Sequence, residues 1–515
     1  MFIKISMLVV FFAITIAIGL YCRKHSTDVN GFVLGGRSVG PWLTAFAYGT
    51  SYFSAVVFVG YAGQFGWKYG IAATWAGIGN ALLGSLMAWA FLGRRTRVMT
   101  QHLDSSTMPQ FFEARFNSKA LKLAASAIIF IFLIPYTASL YNGLSRLFGM
   151  AFDIDYSVCV VVMAILTGVY VIAGGYMATA INDFIQGIIM IGGIIAVIAA
   201  VLKGQGGFME ALNKLGQVSD PAVSTTPGIF ASFFGPDPVS LLGVVLLTSL
   251  GTWGLPQMVQ KFYAIKSEQA INKGMIISTI FAAIVAGGCY FLGGFGRLFD
   301  VNVAKEGFDA VVPTMLSGLP TVLIAIVVVL VLAASMSTLS SLVLTSSSTL
   351  TLDFIKGNLV KKMDEKKQLL TMRALIVVFI LISVVLAIVQ YKSSVTFIAQ
   401  LMGVSWGALA GAFLAPFLFG LYWKKATRAS VWCSFVFSTV VMLGNIVAKP
   451  LFPAILQSPI NAGAFCMIAG LVIVPVISLV TPKLDKAHID QVFSCYDRTV
   501  TVHVTDSIGD TQPKK

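Results

Sequence analysis

The chain has 515 residues, of which 57% are hydrophobic and only 11% are charged, and its mean hydropathy is +0.87. Soluble proteins carry about a quarter charged residues, so this chain has too few polar side chains to cover a surface facing water. The net charge of +14 could suit nucleic acid. However, successive membrane crossings place alternate loops on the same side of the membrane, and most of the basic residues lie in the loops of one side. The composition therefore excludes a soluble nucleic-acid-binding protein and indicates a helical membrane protein.

Thirteen apolar runs are long enough to cross about 30 Å of hydrocarbon as helices. We predict spans at 3–21, 41–64, 71–93, 120–145, 156–173, 177–202, 239–262, 274–297, 320–349, 371–391, 394–422, 429–448 and 462–482. With the N-terminus outside, the basic clusters of the loops fall inside; they include Arg23, Lys24, Arg94, Arg95, Arg97, Lys361, Lys362, Lys424 and Lys425. This positive-inside bias predicts an external N-terminus and a cytoplasmic C-terminus, with basic loops against anionic lipid.

Targeting and metal-binding patterns are weak. Basic residues follow the first apolar run instead of preceding it, and no small-residue cleavage site is evident, so we interpret it as a retained helix. The six cysteines have no disulfide or metal spacing, and the four histidines lie in predicted inner loops or the tail. No Asn-x-Ser/Thr sequon occurs, which fits a bacterial source.

Two predicted spans contain helix-weakening residues in mid-membrane. The second span has the run 48–51 followed by Gly60 and Gly63, and the seventh has the sequence GTWGLP at 251–256. Because Gly costs about 1 kcal/mol and Pro about 3 kcal/mol in a helix interior, we expect both helices to break there. Breaks five spans apart predict two inverted five-helix repeats, with ion and solute at the unwound segments. Close helix packing by these glycines is the alternative.

The ninth span is rich in hydroxyl groups between residues 335 and 349. Ser337 and Thr338 are neighbours on one helix, so they can present two hydroxyls to a carbonyl-rich break in another helix. Hard cations bind oxygen ligands of this kind. Alternatively, these side chains bond back to their own backbone or serve helix packing.

Five stretches occur in an order typical of one transporter family. They are LGGR at 34–37, GGYMA at 174–178 followed by Asp183 and Gln186, WGLPQ at 253–257 with the loop to Ser267, MSTLS at 336–340, and GLYWKKAT at 420–427. Together they cover about residues 30–430 and resemble the sodium:solute symporter family, including bacterial sodium/proline and sodium/sugar symporters. The resemblance implies a LeuT-like core with extra helices at both ends.

The resemblance also implies one sodium site between the first broken helix and the hydroxyl-rich helix. Its expected ligands are the carbonyls of Thr50, Phe53 and Ala334 and the hydroxyls of Ser337 and Thr338. Asp183 matches an acidic residue that the family links to sodium release. A carboxylate inside a membrane costs about 2.5–3.5 kcal/mol, which favours a functional role, although a solvated position near the inner boundary is the alternative.

Expected solute contacts follow from the same resemblance. They are Ser54 and Val57 in the first broken helix, Trp253, Gly254 and Gln257 in the second, and Gln400 and Ser405 in the last core helix. Trp253 could also be an ordinary membrane aromatic. The chain departs from known subfamilies at Tyr52, where sodium/proline symporters carry an acidic residue, and at Thr252, where sugar symporters carry a tyrosine.

The prediction is thus an all-α polytopic membrane protein. Its parts are 1–40 (an extra N-terminal helix and inner loop), 41–202 (first repeat), 203–238 (external loop), 239–422 (second repeat), 423–482 (extra C-terminal helices) and 483–515 (cytoplasmic tail). We expect a sodium-coupled symporter of the cell membrane that imports a small organic solute such as proline, a sugar, sialic acid or a monocarboxylate, with sodium as coupling ion and no other cofactor.

Other classes are disfavoured or stay open. A channel needs a polar pore lining, a membrane enzyme needs a buried catalytic group with its base, and a sensor needs an output domain; none is evident in the sequence. Proton coupling in the same fold is the open alternative, and the solute and the oligomeric state are undetermined.

Overall fold

The computed structural model describes residues 2–23, 27–152, 155–356, 358–360, 362–392 and 398–497. Over these ranges the regular structure is helical, with only isolated β-bridges besides. The helices are α1 Phe2–Cys22, α2 Val29–Leu34, α3 Pro41–Tyr52, α4 Ala62–Tyr69, α5 Thr74–Gly79, α6 Arg94–His102, α7 Met108–Phe116, α8 Lys119–Phe152, α9 Tyr156–Gly204, α10 Phe208–Gln217, α11 Pro238–Gly254, α12 Pro256–Ala264, α13 Glu268–Gly293, α14 Val303–Glu306, α15 Val311–Ser317, α16 Thr321–Thr349, α17 Glu365–Lys392, α18 Ile398–Tyr422, α19 Arg428–Val447, α20 Pro459–Val480 and α21 Lys486–Phe493.

Ten helical segments in the described chain are long and apolar enough to cross a membrane, or eleven when the bent pair α11–α12 counts as one span. This multi-pass helical architecture is as predicted, but the number of thirteen spans and the orientation of the termini stay predictions. Part of the difference between thirteen predicted spans and ten or eleven observed segments arises where two neighbouring predicted spans form one continuous helical segment. The segment Val56–His102 has 47 residues, about 70 Å at 1.5 Å per residue, which exceeds one crossing.

Two glycines with positive φ angles lie between predicted spans that the structure joins into one helical segment. Gly70 has φ 62° and ψ −142° between α4 and α5, and Gly175 has φ 55° and ψ −148° inside α9. Only glycine adopts such angles without strain. A Cβ on Gly175 would also lie 2.8 Å from the Phe32 ring, so this glycine allows α9 to bend against α2.

Both predicted helix breaks occur, but the first is displaced. α11 and α12 meet at Leu255, where the backbone is extended and the helix axis bends by 45°. In the second predicted span the helix continues through 48–51 and ends at Tyr52, and Phe53 is extended at φ −82° and ψ 124°. Gly49 is not the break: its Cα faces Phe281, whose ring carbon a Cβ would approach to 2.4 Å. At this position helix packing, the alternative interpretation, accounts for the glycine.

Beyond the first break the chain winds into wider π-helical turns at Val56–Tyr61, and similar turns occur at Asn80–Met87, Trp89–Gly93 and Leu350–Ile355. Turns of this kind are rare and often mark functional sites. α16 and α18 form the centre of the bundle. In their most apolar 18-residue stretches 78% and 89% of the residues are buried, against 22% in the peripheral α1.

The predicted tail begins with ordered structure. α21 packs against the bundle through Phe493, whose ring lies 4.9 Å from the Arg115 guanidinium. Tyr496 follows, and its ring lies 4.5 Å from the guanidinium of Arg95. The segment predicted as a cytoplasmic tail therefore begins with a helix, Lys486–Phe493, and a helical turn after it, Ser494–Tyr496.

Candidate ion and solute site

The five residues predicted to bind sodium lie together where α16 passes the end of α3. Ser337 Oγ lies 3.0 Å from the carbonyl oxygen of Thr50 and 2.9 Å from that of Ala334. Thr338 Oγ1 lies 3.1 Å from Thr50 O, 3.2 Å from Phe53 O and 3.2 Å from Ala334 O. All five residues are buried. We call these five oxygens the oxygen cluster.

The oxygen cluster has more acceptors than donors. Its two hydroxyls make five close contacts with carbonyl oxygens, but each hydroxyl carries a single hydrogen. The remaining oxygen–oxygen contacts therefore bring negative partial charges together in a buried place. A small hard cation bound among them would be attracted to every oxygen at once, whereas an anion would be repelled.

Local sequence explains how the cluster forms. Because α3 ends at Tyr52 and Phe53 is extended, the last carbonyls of α3 have no partner further along their own helix. Ser335 Oγ accepts a hydrogen bond from Ala55 N at 3.3 Å, which holds the broken segment against α16. The neighbours of the hydroxyls on α16 include Ala333 and Ala334, whose small side chains permit this close approach.

A cavity lies beside the cluster, between α3, the π-helical turns at 80–87, the end of α11 and α13. Its free volume, about 10 Å³, is that of one water molecule, so the cavity is nearly filled in this conformation. Tyr48, Gly49, Tyr52, Phe53, Asn80, Gly84, Ser85, Thr252, Ser278, Phe281, Ala282 and Ala286 line it. No lining residue is charged, and Phe53 belongs to both the cavity and the oxygen cluster.

Hydrogen bonds already connect the polar groups of this cavity. The carbonyl of Gly84 accepts from Tyr48 Oη at 2.8 Å and from Thr252 Oγ1 at 2.9 Å. The Asn80 amide donates to Tyr52 Oη, which lies 3.3 Å from Tyr290 Oη. These hydroxyl and amide groups can exchange partners with a small neutral or zwitterionic solute that offers both donors and acceptors.

None of the seven residues predicted to contact the solute is among those that line this cavity. Ser54 and Val57 are buried in the broken segment, and Ser405 Oγ donates to Phe132 O at 2.5 Å. Gln400 is half-buried in the first turn of α18. Their role in solute binding stays a prediction.

The three solute residues from the second broken helix have different environments. Trp253 Nε1 donates to Leu83 O at 2.8 Å, and Gly254 packs on α18, where a Cβ would lie 2.8 Å from the Cα of Ala410. Gln257 is buried, and neither end of its amide has a hydrogen-bond partner among the described residues. An unpaired buried amide costs about 1–3 kcal/mol, so Gln257 is the member of the set best suited to a transient ligand.

Asp183 is fully buried on α9 and faces a buried lysine that the sequence analysis did not single out. The ammonium of Lys261 on α12 lies 3.9 Å from Asp183 Oδ2, and the two side chains are 2% and 0% exposed. This burial does not fit the alternative of a solvated carboxylate near the membrane boundary. Lys261 also donates to Ser341 Oγ at 3.0 Å, one helical turn from Ser337.

The loops before α3 and after α12 are joined at the end of the bundle that carries Arg37, Arg97 and Arg115, which we call the basic end. Val39 and the 264–266 backbone exchange two hydrogen bonds of 3.2 Å and 2.9 Å. The guanidinium of Arg37 donates to the carbonyls of Ser105 at 2.6 Å and Tyr263 at 3.2 Å. These bonds hold the two broken helices together at their basic ends, so the cavity is closed on that side.

Comparisons with known proteins identify the family. The sequence profile of the sodium:solute symporter family matches residues 32–436, most of the chain. This chain belongs to the sodium:solute symporter family. The resemblance described from five sequence stretches is thereby confirmed, and with it the class of membrane transport protein.

Relatives within this family extend the match to nearly the whole chain. Sodium/proline symporters of Staphylococcus aureus strains JH9 and NCTC 8325 / PS 47 are each 31% identical over 495 residues, which is 93% of this chain and 92% of the relative.

Solved structures share the fold. A sodium-coupled sialic acid symporter in a substrate-bound outward-open state has a TM-score of 0.72 at 16% identity and covers 94% of this chain and 99% of its own. A mutant of the Eremococcus coleocola manganese transporter has a TM-score of 0.51 at 12% identity, covering 88% and 96%. These likenesses support the transporter fold.

Proposed function

We propose that this protein is a sodium-coupled secondary symporter that imports a small organic solute by alternating access. The oxygen cluster carries the proposal, because it is a buried set of uncharged oxygens with an excess of acceptors. Sodium would bind to the carbonyls of Thr50, Phe53 and Ala334 and to the two hydroxyls of α16. Sodium acts here as the coupling ion, and no other cofactor is proposed.

Coupling to the solute follows from a shared segment. Thr50 and Phe53 supply carbonyls to the cluster, while Tyr52 and Phe53 line the cavity. A sodium ion that fixes the end of α3 therefore also fixes the side chains facing the solute. Since a ligand shifts an equilibrium only by its different affinities for the two states, sodium and solute that both favour this arrangement would each strengthen binding of the other.

The solute class is proposed from the cavity lining and from relatives. The lining has hydroxyl and amide groups and no charge, which suits a small polar solute without strong net charge. The named relatives act on proline, and the named structural neighbour on sialic acid. We propose an amino acid such as proline as the first solute to test, followed by sugars, sialic acid and monocarboxylates. The solute residues in the second broken helix, above all Gln257, belong to this proposal.

The proposed mechanism starts with sodium and solute entering away from the basic end. The bonds of Arg37 and of the Val39 backbone then break, the two broken helices separate at that end, and both ligands leave, with sodium passing Asp183. We also propose two inverted repeats, 41–202 and 239–422, in the plasma membrane with the basic end inside the cell, consistent with the positive-inside bias.

Uptake into proteoliposomes with an imposed sodium or proton gradient tests the function. Sodium-driven uptake is expected, and uptake driven only by protons would favour the proton-coupled alternative. Replacing Ser337→Ala together with Thr338→Ala removes two of five ligands, so we expect the half-saturating sodium concentration to rise at least tenfold, equivalent to about 1.4 kcal/mol.

The matched control is Ser347→Ala with Ser348→Ala. These hydroxyls lie on the same helix but donate to its own backbone, at Leu344 O. Because they do not contact the oxygen cluster, the half-saturating sodium concentration should stay within about twofold of that of the parent protein. An unchanged half-saturating sodium concentration in the variant with Ser337→Ala and Thr338→Ala would contradict the proposed sodium site.

A further inference from the structure

A buried chain of polar groups leads from the oxygen cluster to the Asp183–Lys261 pair. Lys261 Nζ donates to Ser341 Oγ at 3.0 Å, and Ser341 Oγ lies 2.9 Å from Ser51 Oγ. Ser51 adjoins Thr50, whose carbonyl belongs to the cluster, and Ser341 lies one turn from Ser337 on α16. The chain thus joins α9, α12, α16 and α3.

The hydrogens in this chain point in one direction. Ser51 Oγ donates to Ala47 O at 2.6 Å, so its single hydrogen is used and Ser341 must be the donor to Ser51. An ammonium has only donors, so Lys261 donates to Ser341. The positive charge of Lys261 therefore orients the Ser341 hydroxyl, whose oxygen faces the ammonium and whose hydrogen points to Ser51.

Asp183 has few other partners. Neither of its oxygens accepts a hydrogen bond from a described residue, and the ammonium at 3.9 Å is its ion-pair partner. Besides Asp183 and Ser341, the ammonium lies over an aromatic face, the Tyr176 ring at 5.1 Å. Because an isolated buried charge is far costlier than a paired one, Asp183 needs a cation in this place whenever it is ionised.

We infer that the ammonium of Lys261 is a built-in counter-cation for Asp183 and occupies the place where a cation leaving the oxygen cluster would otherwise be held. This inference rests on the proposed sodium symport and deepens it. While the Lys261 ammonium contacts Asp183 and Ser341, its positive charge disfavours binding of a second sodium ion beside the Asp183 carboxylate. When α12 moves during opening of the basic end, the ammonium leaves the carboxylate, and Asp183 becomes available to the departing sodium.

The inference assigns Lys261 a positioning role, testable by the steepness of sodium activation. With one site, uptake by the parent protein should rise with sodium with a Hill coefficient of about one. In Lys261→Gln the carboxylate loses its cation, so a second sodium should be required and the coefficient should approach about two. Lys261→Arg keeps the charge and should restore the parent value. Asp183→Asn combined with Lys261→Gln removes both charges and should also return the coefficient to about one.

A second variant covers the case in which Lys261→Gln does not reach the membrane. Asp183→Asn alone leaves the ammonium without its carboxylate, bonded to Ser341 one helical turn from Ser337 of the oxygen cluster. Repulsion between this ammonium and a bound sodium ion should raise the half-saturating sodium concentration severalfold. The double variant should reverse that rise.

The outcomes distinguish a failure of the proposed sodium symport from a failure of the role assigned to Lys261. A parent protein without sodium-dependent uptake would overturn the proposed function itself. A sodium-dependent parent together with an unchanged Hill coefficient in Lys261→Gln would overturn this inference alone. Equal sodium affinity in Asp183→Asn and the double variant would overturn it as well.

Discussion

The two ends of the helix bundle are built in different ways. At the basic end, guanidinium groups donate to backbone carbonyls: Arg37 bonds Ser105 and Tyr263, and Arg97 Nε bonds Ile265 O at 2.5 Å. The opposite end encloses a vestibule of about 790 Å³, whose lining includes Lys68, Asp237 and Arg297. Side-chain bonds that can break and reform close one end, whereas the other end remains open to small molecules.

Helix packing beneath the vestibule adds to this difference. There α4 and α13 touch backbone to backbone, and a Cβ on Gly66 would lie 1.9 Å from Gly293 O. Such a contact has no side chain that could rotate away. This close contact indicates that α4 and α13 move together as one rigid unit, whereas the basic end is held by side-chain bonds that can break and let it open.

The largest effect is expected from filling the glycine contact. Gly66→Ala forces two helix backbones apart and should destabilise the folded protein by about 3 kcal/mol, seen as loss of monodisperse protein in detergent and a lower unfolding temperature. Gly287→Ala on α13 is the matched control, because its Cβ would meet no atom within 4 Å. A normally folded Gly66→Ala protein would mean that α4 and α13 do not form a rigid unit.

A smaller effect on stability, but a large one on transport, is expected at the basic end. Arg37→Gln removes charge-assisted bonds to backbone carbonyls that are worth about 1.5–3 kcal/mol each, so the closed state loses stability and uptake should fall at least tenfold while the protein still folds. Arg94→Gln is the control, because that side chain is 75% exposed in its pair with Glu268 and such surface pairs contribute little. Equal uptake by both variants would contradict a role of Arg37 in closure.

The smallest effect concerns pH at the vestibule end. Asp309, in the loop before α15, accepts a hydrogen bond from Ile398 N at 3.3 Å. Burial raises the pKa of this carboxyl from 3.8 to about 6, against the lowering effects of that bond and of Arg146. A carboxyl with a raised pKa in the packed state stabilises packing at low pH, and this contribution is lost as pH rises through about 6.

We therefore expect hydrogen-exchange protection of α15 to be about tenfold lower at pH 8 than at pH 5, after correction for intrinsic exchange rates. Asp309→Asn cannot ionise and should lose the pH dependence, whereas Asp237→Asn at an exposed position should keep it. Equal protection at both pH values in the parent protein would show that Asp309 does not control this packing.

Much of the architecture could be predicted because it depends on local sequence. Apolar runs define the long helices, and the Gly-x-x-Gly-x-Pro run marks the break at Leu255. The grouping of Thr50 and Phe53 with Ser337 and Thr338 was predicted from family motifs, and the structure brings these residues together. The position of the first break was missed by a few residues, because hydrogen bonds from α16 to the carbonyls of α3 accompany it and no glycine marks it.

The cavity and the buried ion pair depend on contacts between distant parts of the chain. Asn80, Ser85 and Ser278 are ordinary neutral residues, and only the crossing of their helices brings them beside Tyr52. Lys261 lay at the end of a predicted span, where a lysine usually extends to the interface. A buried Asp183 on another helix is an indication that a cationic partner must exist, and a search of all membrane-embedded basic residues could have found it.

The uncharged oxygen cluster has an electrical consequence. Its five ligands carry no formal charge, and Asp183 and Lys261 together contribute none, so a sodium ion bound there would keep its full positive charge. With a neutral solute, each inward movement would then transfer one charge across the bilayer. A membrane potential of 100 mV adds about 2.3 kcal/mol per charge to the driving force. Voltage would thus draw the ion and its solute inward even when the sodium concentrations on the two sides are equal.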